Sequence, residues 1–236
     1  MTDVNFSECE AKDGASFVIE VEKGASFKFN FLRIQLIDCQ ADKSIVVIVI
    51  HNGKSQVNFI QLYASNNKCY GHILFIECDD TDVHINHSTI NLFDNVVPIN
   101  VTNSLSLSIY DTNISSLQND TFFEGFVYSD ADHNSFMFIR LLLALANCDY
   151  IFDVLNSGSL KADYIAINMP YCTKELVVFK VDSDPNLALW DYPRVFVDIV
   201  SCALVNTSWI IVQAYERIDT WATMGPNVSP TLPDTP

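Results

Sequence analysis

Positive charge is scarce in this chain. Of its 236 residues only 13 are Lys or Arg, against 29 that are Asp or Glu, so the net charge is −16. A protein that binds nucleic acid needs a basic face, and clustered Lys and Arg attract a protein to anionic lipid headgroups. The composition therefore argues against both classes. It predicts an acidic surface that is simply solvated, or that contacts cations or basic partners.

Long hydrophobic runs and familiar motifs are also missing. The most apolar stretch, 136–152, contains Arg140 and Asp149 and is shorter than the roughly 20 mostly apolar residues of a membrane-spanning helix. The opening residues 1–5 have neither the basic head nor the apolar centre of a secretory signal. The sequence contains no G-x-x-x-x-G-K-[ST], G-x-G-x-x-G or G-x-S-x-G motif. It therefore predicts no transmembrane segment and gives no motif for nucleotide binding or hydrolysis.

What the chain does have is a repeat of about 26 residues. Each unit begins with a short apolar burst, passes through a polar turn and continues as an alternating segment, as in 45–50, 51–55 and 56–63. Alternation with a period of two predicts strands, and a fixed period in the twenties predicts a repeat architecture. The bursts are Phe17–Val21, Ile45–Ile50, Ile73–Ile76, Pro98–Val101, Gly125–Tyr128, Tyr150–Val154, Val177–Val181 and Trp209–Val212.

These observations predict an all-β fold, a single-stranded right-handed parallel β-helix of about seven to eight coils with ~26 residues per coil. Equivalent strands would stack about 4.8 Å apart. A left-handed helix of hexapeptide repeats would have a shorter and more regular coil, so the long, irregular unit favours the right-handed form. We expect the β-helix domain to cover 1–222 and a flexible tail with four prolines to cover 223–236.

Cysteine spacing follows the repeat. Cys9, Cys39 and Cys69 are separated by about one coil, as are Cys148, Cys172 and Cys202, whereas Cys78 stands apart. The spacing is compatible with a disulfide ladder or a soft-metal site, but no C-x-x-C pair is present. We therefore favour buried thiols that stack as small hydrophobic side chains.

The glycosylation sequons do not decide in which cellular compartment the protein is located. Seven Asn-X-Ser/Thr sequons are present, at Asn5, Asn86, Asn100, Asn113, Asn119, Asn206 and Asn227, and they suggest a cell-surface or extracellular location. Asn, Ser and Thr are also common turn residues, which accounts for the sequons without glycosylation. If the chain is secreted, we expect its signal to lie in a part of the protein outside this sequence.

The densest acidic cluster is Asp79, Asp80 and Asp82, with His84 nearby. Clustered carboxylates act as the acid and base of glycoside hydrolysis, or hold Ca²⁺. Asp and Asn are equally the usual residues of tight turns, and we favour that interpretation. The four residues remain the candidate catalytic group. Similar acidic turns occur at Asp130 and Asp132, and at Asp182 and Asp184.

Aromatic residues supply the candidate binding patch. Trp190 and Tyr192 fall in an irregular insertion of the seventh unit, and Trp221 lies near the end of the repeat. Insertions in solenoids form loops on one face, which is often the binding face. These three residues are therefore the candidate contacts for a carbohydrate or a protein partner. The alternative is that they stack in the core, as most aromatic side chains do.

The residues 6–15, FSECEAKDGA, are similar to the F-x-x-C-x-A-x-x-G-G/A repeat of polymorphic-outer-membrane-protein-like families, and 36–44 is a weaker copy. The whole pattern resembles the right-handed β-helix, or pectin-lyase-like, superfamily. The resemblance implies a surface rod with a role in adhesion. Enzymes of this fold that cut polysaccharides place clustered carboxylates on the lateral face of the rod.

The function we expect is that of a non-enzymatic rod that serves as a structural or surface binding module. One alternative is a polysaccharide-active lyase or glycoside hydrolase that uses the acidic turns. Another is an intracellular scaffold or filament subunit that stacks end to end. We expect a protein or carbohydrate partner, no nucleic acid, and no cofactor except Ca²⁺ at the acidic turns.

Overall fold

The fold is all-β in the part of the chain that the computed structural model describes. That part comprises residues 1–22, 26–51, 54–92, 99–116, 122–123, 127–144, 147–148, 150–169, 176–182, 194–204, 209–214 and 219–224. It contains strands and no helix, which confirms the predicted class. The strands are β1 (Thr2–Ser7), β2 (Glu10–Ala11), β3 (Phe17–Val21), β4 (Lys28–Ile37), β5 (Gln40–Ala41), β6 (Val46–Ile50), β7 (Ser55–Cys69), β8 (Leu74–Cys78), β9 (Thr81–Asn86), β10 (Thr89–Leu92), β11 (Ile99–Thr102), β12 (Ser106–Ser116), β13 (Phe122–Phe123), β14 (Val127–Ala144), β15 (Asn147–Cys148), β16 (Tyr150–Met169), β17 (Leu176–Asp182), β18 (Arg194–Leu204), β19 (Trp209–Ala214) and β20 (Asp219–Met224).

Strands pair in parallel with their counterparts one coil away. Strand β4 lies between β1 and β7, and β7 then pairs with β9 and β10. Strand β6 lies between β3 and β8, and β8 pairs with β11. Paired side chains on adjacent coils are 24 to 30 positions apart, as the repeat predicts. The chain is therefore a parallel β-solenoid.

The number of coils differs from the prediction. The structure supports about four turns rather than seven to eight. Strands β14, β16 and β18 also pair in parallel, but the segments 145–146, 170–175 and 183–193 that would link these strands into turns lie outside the described residues. The tail from 225 onward lies outside them too.

Three series of strands form the sides of the solenoid. Side A comprises 28–32, 55–60, 81–86 and 106–110; side B comprises 34–37, 62–65, 89–92 and 112–116; side C comprises β3, β6, β8 and β11. Between sides A and B the chain bends at one residue per coil in the left-handed conformation, with φ between 47° and 60°. These corner residues are Asp3, Arg33, Gln61, His87, Asp111 and Arg140.

The A–B corner carries charge pairs as well as backbone strain. A left-handed conformation disfavours residues other than Gly, Asn and Asp, yet Arg occurs there twice. Arg33 donates through two nitrogens to Asp3, and Arg140 does the same to Asp111. Because these pairs are exposed, each contributes little stability by itself. Each pair ties its own coil to the one before it at this corner.

Inward side chains of the three sides form columns along the solenoid. Phe31 and Phe59 stack on adjacent coils with ring centroids 4.7 Å apart, and Ile85 continues the column. On side C, Ile48 and Ile76 are fully buried in register. Like side chains pack on like because parallel pairing repeats the inward positions on each coil. Burial of these columns is the main source of stability.

The cysteine stack is only partly as predicted. Cys9 and Cys39 occupy equivalent positions, since their neighbours Glu10 and Gln40 pair. Cys69 instead lies level with Ala41, because equivalent residues of β4 and β7 are 28 positions apart, whereas those of β1 and β4 are 30 apart. Cys9, Cys39, Cys69 and Cys78 do not form disulfides. Burial raises the pKa of Cys78 to about 12, which suppresses its reactive thiolate.

Candidate functional site

The predicted acidic cluster is divided between a turn and a strand. Asp79 and Asp80 lie in the corner between sides C and A, where Asp80 is left-handed with φ 48°. The Asp79 backbone donates to Ile50 O at 3.1 Å, and its carbonyl accepts from Thr81 Oγ1 at 3.0 Å. Both aspartates therefore contribute to a turn that stacks on the coil before it. Asp82 and His84 follow on β9.

Asp82 and His84 point outward on side A and share a polar face with residues of the neighbouring coils. Parallel register places Asp82 between Gln56 and Ser106, and the Ser106 hydroxyl donates to the Asp82 carboxylate. His84 lies between Asn58 and Ser108. We call the group Gln56, Asn58, Asp82, His84, Ser106 and Ser108 the polar face. The structure thus brings two of the four candidate catalytic residues together.

The surroundings of His84 favour its neutral imidazole. Burial lowers its pKa below the ordinary 6.5; Asp82 opposes that shift, and Lys28 adds to it. The folded chain therefore binds this proton less readily than the unfolded chain does. Its contribution to stability is complete above pH 6.5 and is lost as the pH falls from 6.5 toward the lowered value.

We expect an NMR titration of His84 to give a pKa below 6.5. The Asp82→Asn variant should lower that pKa further, because it removes the negative charge that favours the imidazolium. The Lys28→Ala variant should raise it, because it removes a positive charge. An upward shift in Asp82→Asn, or a wild-type pKa at or above 6.5, would show that the environment of His84 differs from the one described.

The predicted aromatic patch is not assembled by the described residues. Trp190 and Tyr192 lie outside them. Trp221 lies in β20, where it pairs with Phe196 of β18. The three residues therefore stay a predicted binding patch.

A groove that the sequence did not reveal lies where three successive turns lead into side C. These turns cover 12–16, 42–45 and 70–73 and are stacked by backbone hydrogen bonds. Gly14 N donates to Ser44 O at 2.8 Å, and Gly71 N donates to Lys43 O at 2.8 Å. A Cβ on Gly71 would lie 2.6 Å from Lys43 O, so only glycine permits this close approach. The stacked turns make one wall of the groove.

Aromatic rings and carboxylates line this groove, which has a volume of about 350 Å³. Tyr70 is 90% exposed at its rim. The rings of His72 and Phe75 are nearly parallel, with centroids 5.7 Å apart. Asp13 and Asp42 supply the carboxylates. We call this site the corner groove.

Polar contacts hold the groove in shape. The Asp13 carboxylate accepts from Gly14 N at 3.1 Å and from Ser44 N at 3.3 Å, and it lies 3.5 Å from Lys43 Nζ. The Asn100 amide nitrogen lies 3.0 Å from His72 Nε2. Because an amide nitrogen can only donate, the second contact holds the His72 ring in the tautomer whose hydrogen is on Nδ1 and whose Nε2 accepts. The groove is therefore largely pre-formed, as small-molecule sites usually are.

Sequence reasoning missed the corner groove because its residues come from three coils. Each turn by itself is a short polar segment of the kind found in any loop. The one available signal was Gly71-His72 directly before an apolar burst.

Comparison with known proteins finds no family model, curated protein or solved structure that matches this chain. The fold alone defines the class, that of the parallel β-solenoid proteins. Assignment to the pectin-lyase-like superfamily or to the polymorphic-outer-membrane-protein-like repeat family stays a prediction. Among the described residues, none belongs to a helix long and apolar enough to cross a membrane. The same residues bring together no group of three His, Cys, Asp or Glu side chains that could hold a metal ion.

Proposed function

We propose that this chain is a non-enzymatic right-handed β-helix rod that binds a partner at a cell surface through the corner groove. The observation that carries the proposal is the groove itself, a pre-formed cavity with exposed aromatic and acidic side chains. Tyr70 is 90% exposed at the rim of the groove, and tyrosine is enriched where protein surfaces bind partners. The exposed apolar Val18 on the neighbouring β3 extends this surface.

The arrangement of the acidic residues supports binding over catalysis. A glycosidase needs two carboxyl groups that converge on one bond. Here the Asp82 carboxylate accepts a hydrogen bond from Ser106, while Asp79 and Asp80 form a turn. Exposure of the sequon residues Asn5 and Asn113 fits a surface location, because a glycan on either would project into solvent.

The test is binding of fluorescently labelled protein to intact cells, measured by flow cytometry. We expect Tyr70→Ala to reduce the bound fraction at least tenfold, as loss of a central aromatic contact typically does. Tyr63→Ala is the matched control, since Tyr63 is also exposed but lies on side B, and we expect it to bind as wild type. Equal binding by wild type and Tyr70→Ala, or no binding by either, would refute the role of the groove.

The polar face favours a second candidate, a polysaccharide-active lyase or hydrolase, because it places Asp82 beside a neutral His84. We expect no turnover of neutral or acidic polysaccharides, with or without Ca²⁺, when released reducing ends and unsaturated products are assayed. Turnover that Asp82→Asn abolishes and Tyr70→Ala leaves intact would establish the enzyme instead.

A further inference from the structure

The side chains that line the corner groove indicate which chemical class of ligand it binds. We infer that the groove takes a neutral oligosaccharide, a deduction that rests on the binding function proposed above. Its volume of about 350 Å³ lies in the range of small-molecule sites. That space suits a few sugar rings rather than a folded protein surface.

Ring faces supply the apolar half of such a site. Tyr70 is 90% exposed, and the nearly parallel rings of His72 and Phe75 line the same groove. One face of a pyranose ring is made of C–H groups, and these pack on an aromatic face by dispersion and by attraction to its negative π-cloud. The hydroxyl groups at the sugar edge then remain free to make hydrogen bonds.

Asp42 and Lys43 supply the polar half. The Asp42 carboxylate makes no hydrogen bond or ion pair with the described part of the chain, so both its oxygens can accept from neighbouring hydroxyls. Lys43 Nζ lies 3.5 Å from Asp13 and is 68% exposed, so it still has hydrogens to donate. A sugar hydroxyl both donates and accepts, and this mixture of groups satisfies both roles.

Charge decides between sugar classes. Asp13 and Asp42 line the groove of a chain whose net charge is −16, so uronate or sulfate groups would be repelled. Lys43 already occupies the position where a cationic ligand would meet Asp13. Neutral sugars avoid the repulsion and leave the existing ion pair intact. They are therefore the favoured ligands over acidic glycans and basic peptides.

The experiment is isothermal titration calorimetry of the full chain with three probes: neutral gluco-, galacto- and manno-oligosaccharides, oligogalacturonates, and a Lys-rich peptide. We expect at least one neutral oligosaccharide to bind and the acidic ones not to bind. Tyr70→Ala and Asp42→Asn should each weaken neutral-sugar binding at least tenfold. Tyr63→Ala and Glu20→Gln are the matched controls, since Tyr63 and Glu20 are exposed and neither lines the groove, and they should bind as wild type. Circular dichroism checks that all four variants are folded.

The outcomes separate this inference from the proposed function. Tyr70-dependent binding to cells that free neutral oligosaccharides do not compete would refute the sugar ligand and leave the groove as a binding site. Binding of the Lys-rich peptide that Asp42→Asn removes would show a basic ligand instead. Neutral-sugar binding unchanged by Tyr70→Ala and Asp42→Asn would place the sugar site elsewhere and overturn the inference.

Discussion

Replacement of Phe59 by Ala is expected to lower the free energy of unfolding by about 3–5 kcal/mol. Phe59 is fully buried, stacks on Phe31 at 4.7 Å and is followed in its column by Ile85. The cavity cannot collapse easily, because the coils on both sides are held at a fixed spacing by the hydrogen bonds of β4, β7 and β9. This loss is a large fraction of the free energy of unfolding of a typical domain, which is about 5–15 kcal/mol.

Urea denaturation followed by circular dichroism measures this effect. In a solenoid each coil contacts only its neighbours, so the change should appear first in the transition of the N-terminal coils. Tyr63→Ala on the same strand is the control. Tyr63 is 39% exposed, and we expect a loss below about 1 kcal/mol. A loss of similar size in both variants would contradict the stacked column as the source of stability.

Replacement of Asn67 by Ala is expected to lower the free energy of unfolding by about 1–3 kcal/mol, although Asn67 is polar. Asn67 is 2% exposed. Its side-chain oxygen accepts from Cys39 N at 3.0 Å, and its nitrogen donates to Leu36 O at 2.9 Å. Ala would leave the Cys39 amide buried without this partner, at a cost of about 1–3 kcal/mol. The same urea titration measures the effect.

The matched control for Asn67 is Asn113→Ala, since Asn113 is a strand asparagine with an exposed side chain. We expect its free energy of unfolding to stay within about 0.5 kcal/mol of wild type. Hydrogen exchange provides a second measurement, because the Cys39 amide should lose protection only in the Asn67 variant. Retained protection there would show that another group satisfies the Cys39 amide.

The strands and their inward faces followed from the sequence because their signal is local. Alternating apolar residues identify a half-buried strand wherever it occurs. The recurrence of the bursts then predicted parallel stacking, which the pairing of Ile19 with Ile48 and of Ile48 with Ile76 confirms. The structure supports about four turns rather than the predicted seven to eight, and the segments that would link the later strands into turns lie outside the described residues.

Register was less predictable than strand identity. Spacing alone put Cys69 in one column with Cys9 and Cys39, but the structure places Asn67 level with Cys39. A shift of two positions keeps the inward face inward, so the hydrophobic pattern cannot detect it. Only the lengths of the turns on adjacent coils decide such a shift.

The candidate sites, too, were only partly predictable from the sequence. The sequence predicted one acidic turn that contains Asp79, Asp80 and Asp82, whereas the structure places Asp82 on β9 with His84. The corner groove depended on how closely three turns stack, which rests on the approach of Gly71 to Lys43 O.

By itself, then, the sequence determined that this chain is a β-solenoid with apolar columns inside, because burial and strand period are properties of neighbouring residues. The tertiary structure alone decided which turn residues meet. Tyr70, His72 and Phe75 join Asp13 and Asp42 because parallel stacking brings residues about one coil apart into contact, and no local pattern encodes how closely those turns approach.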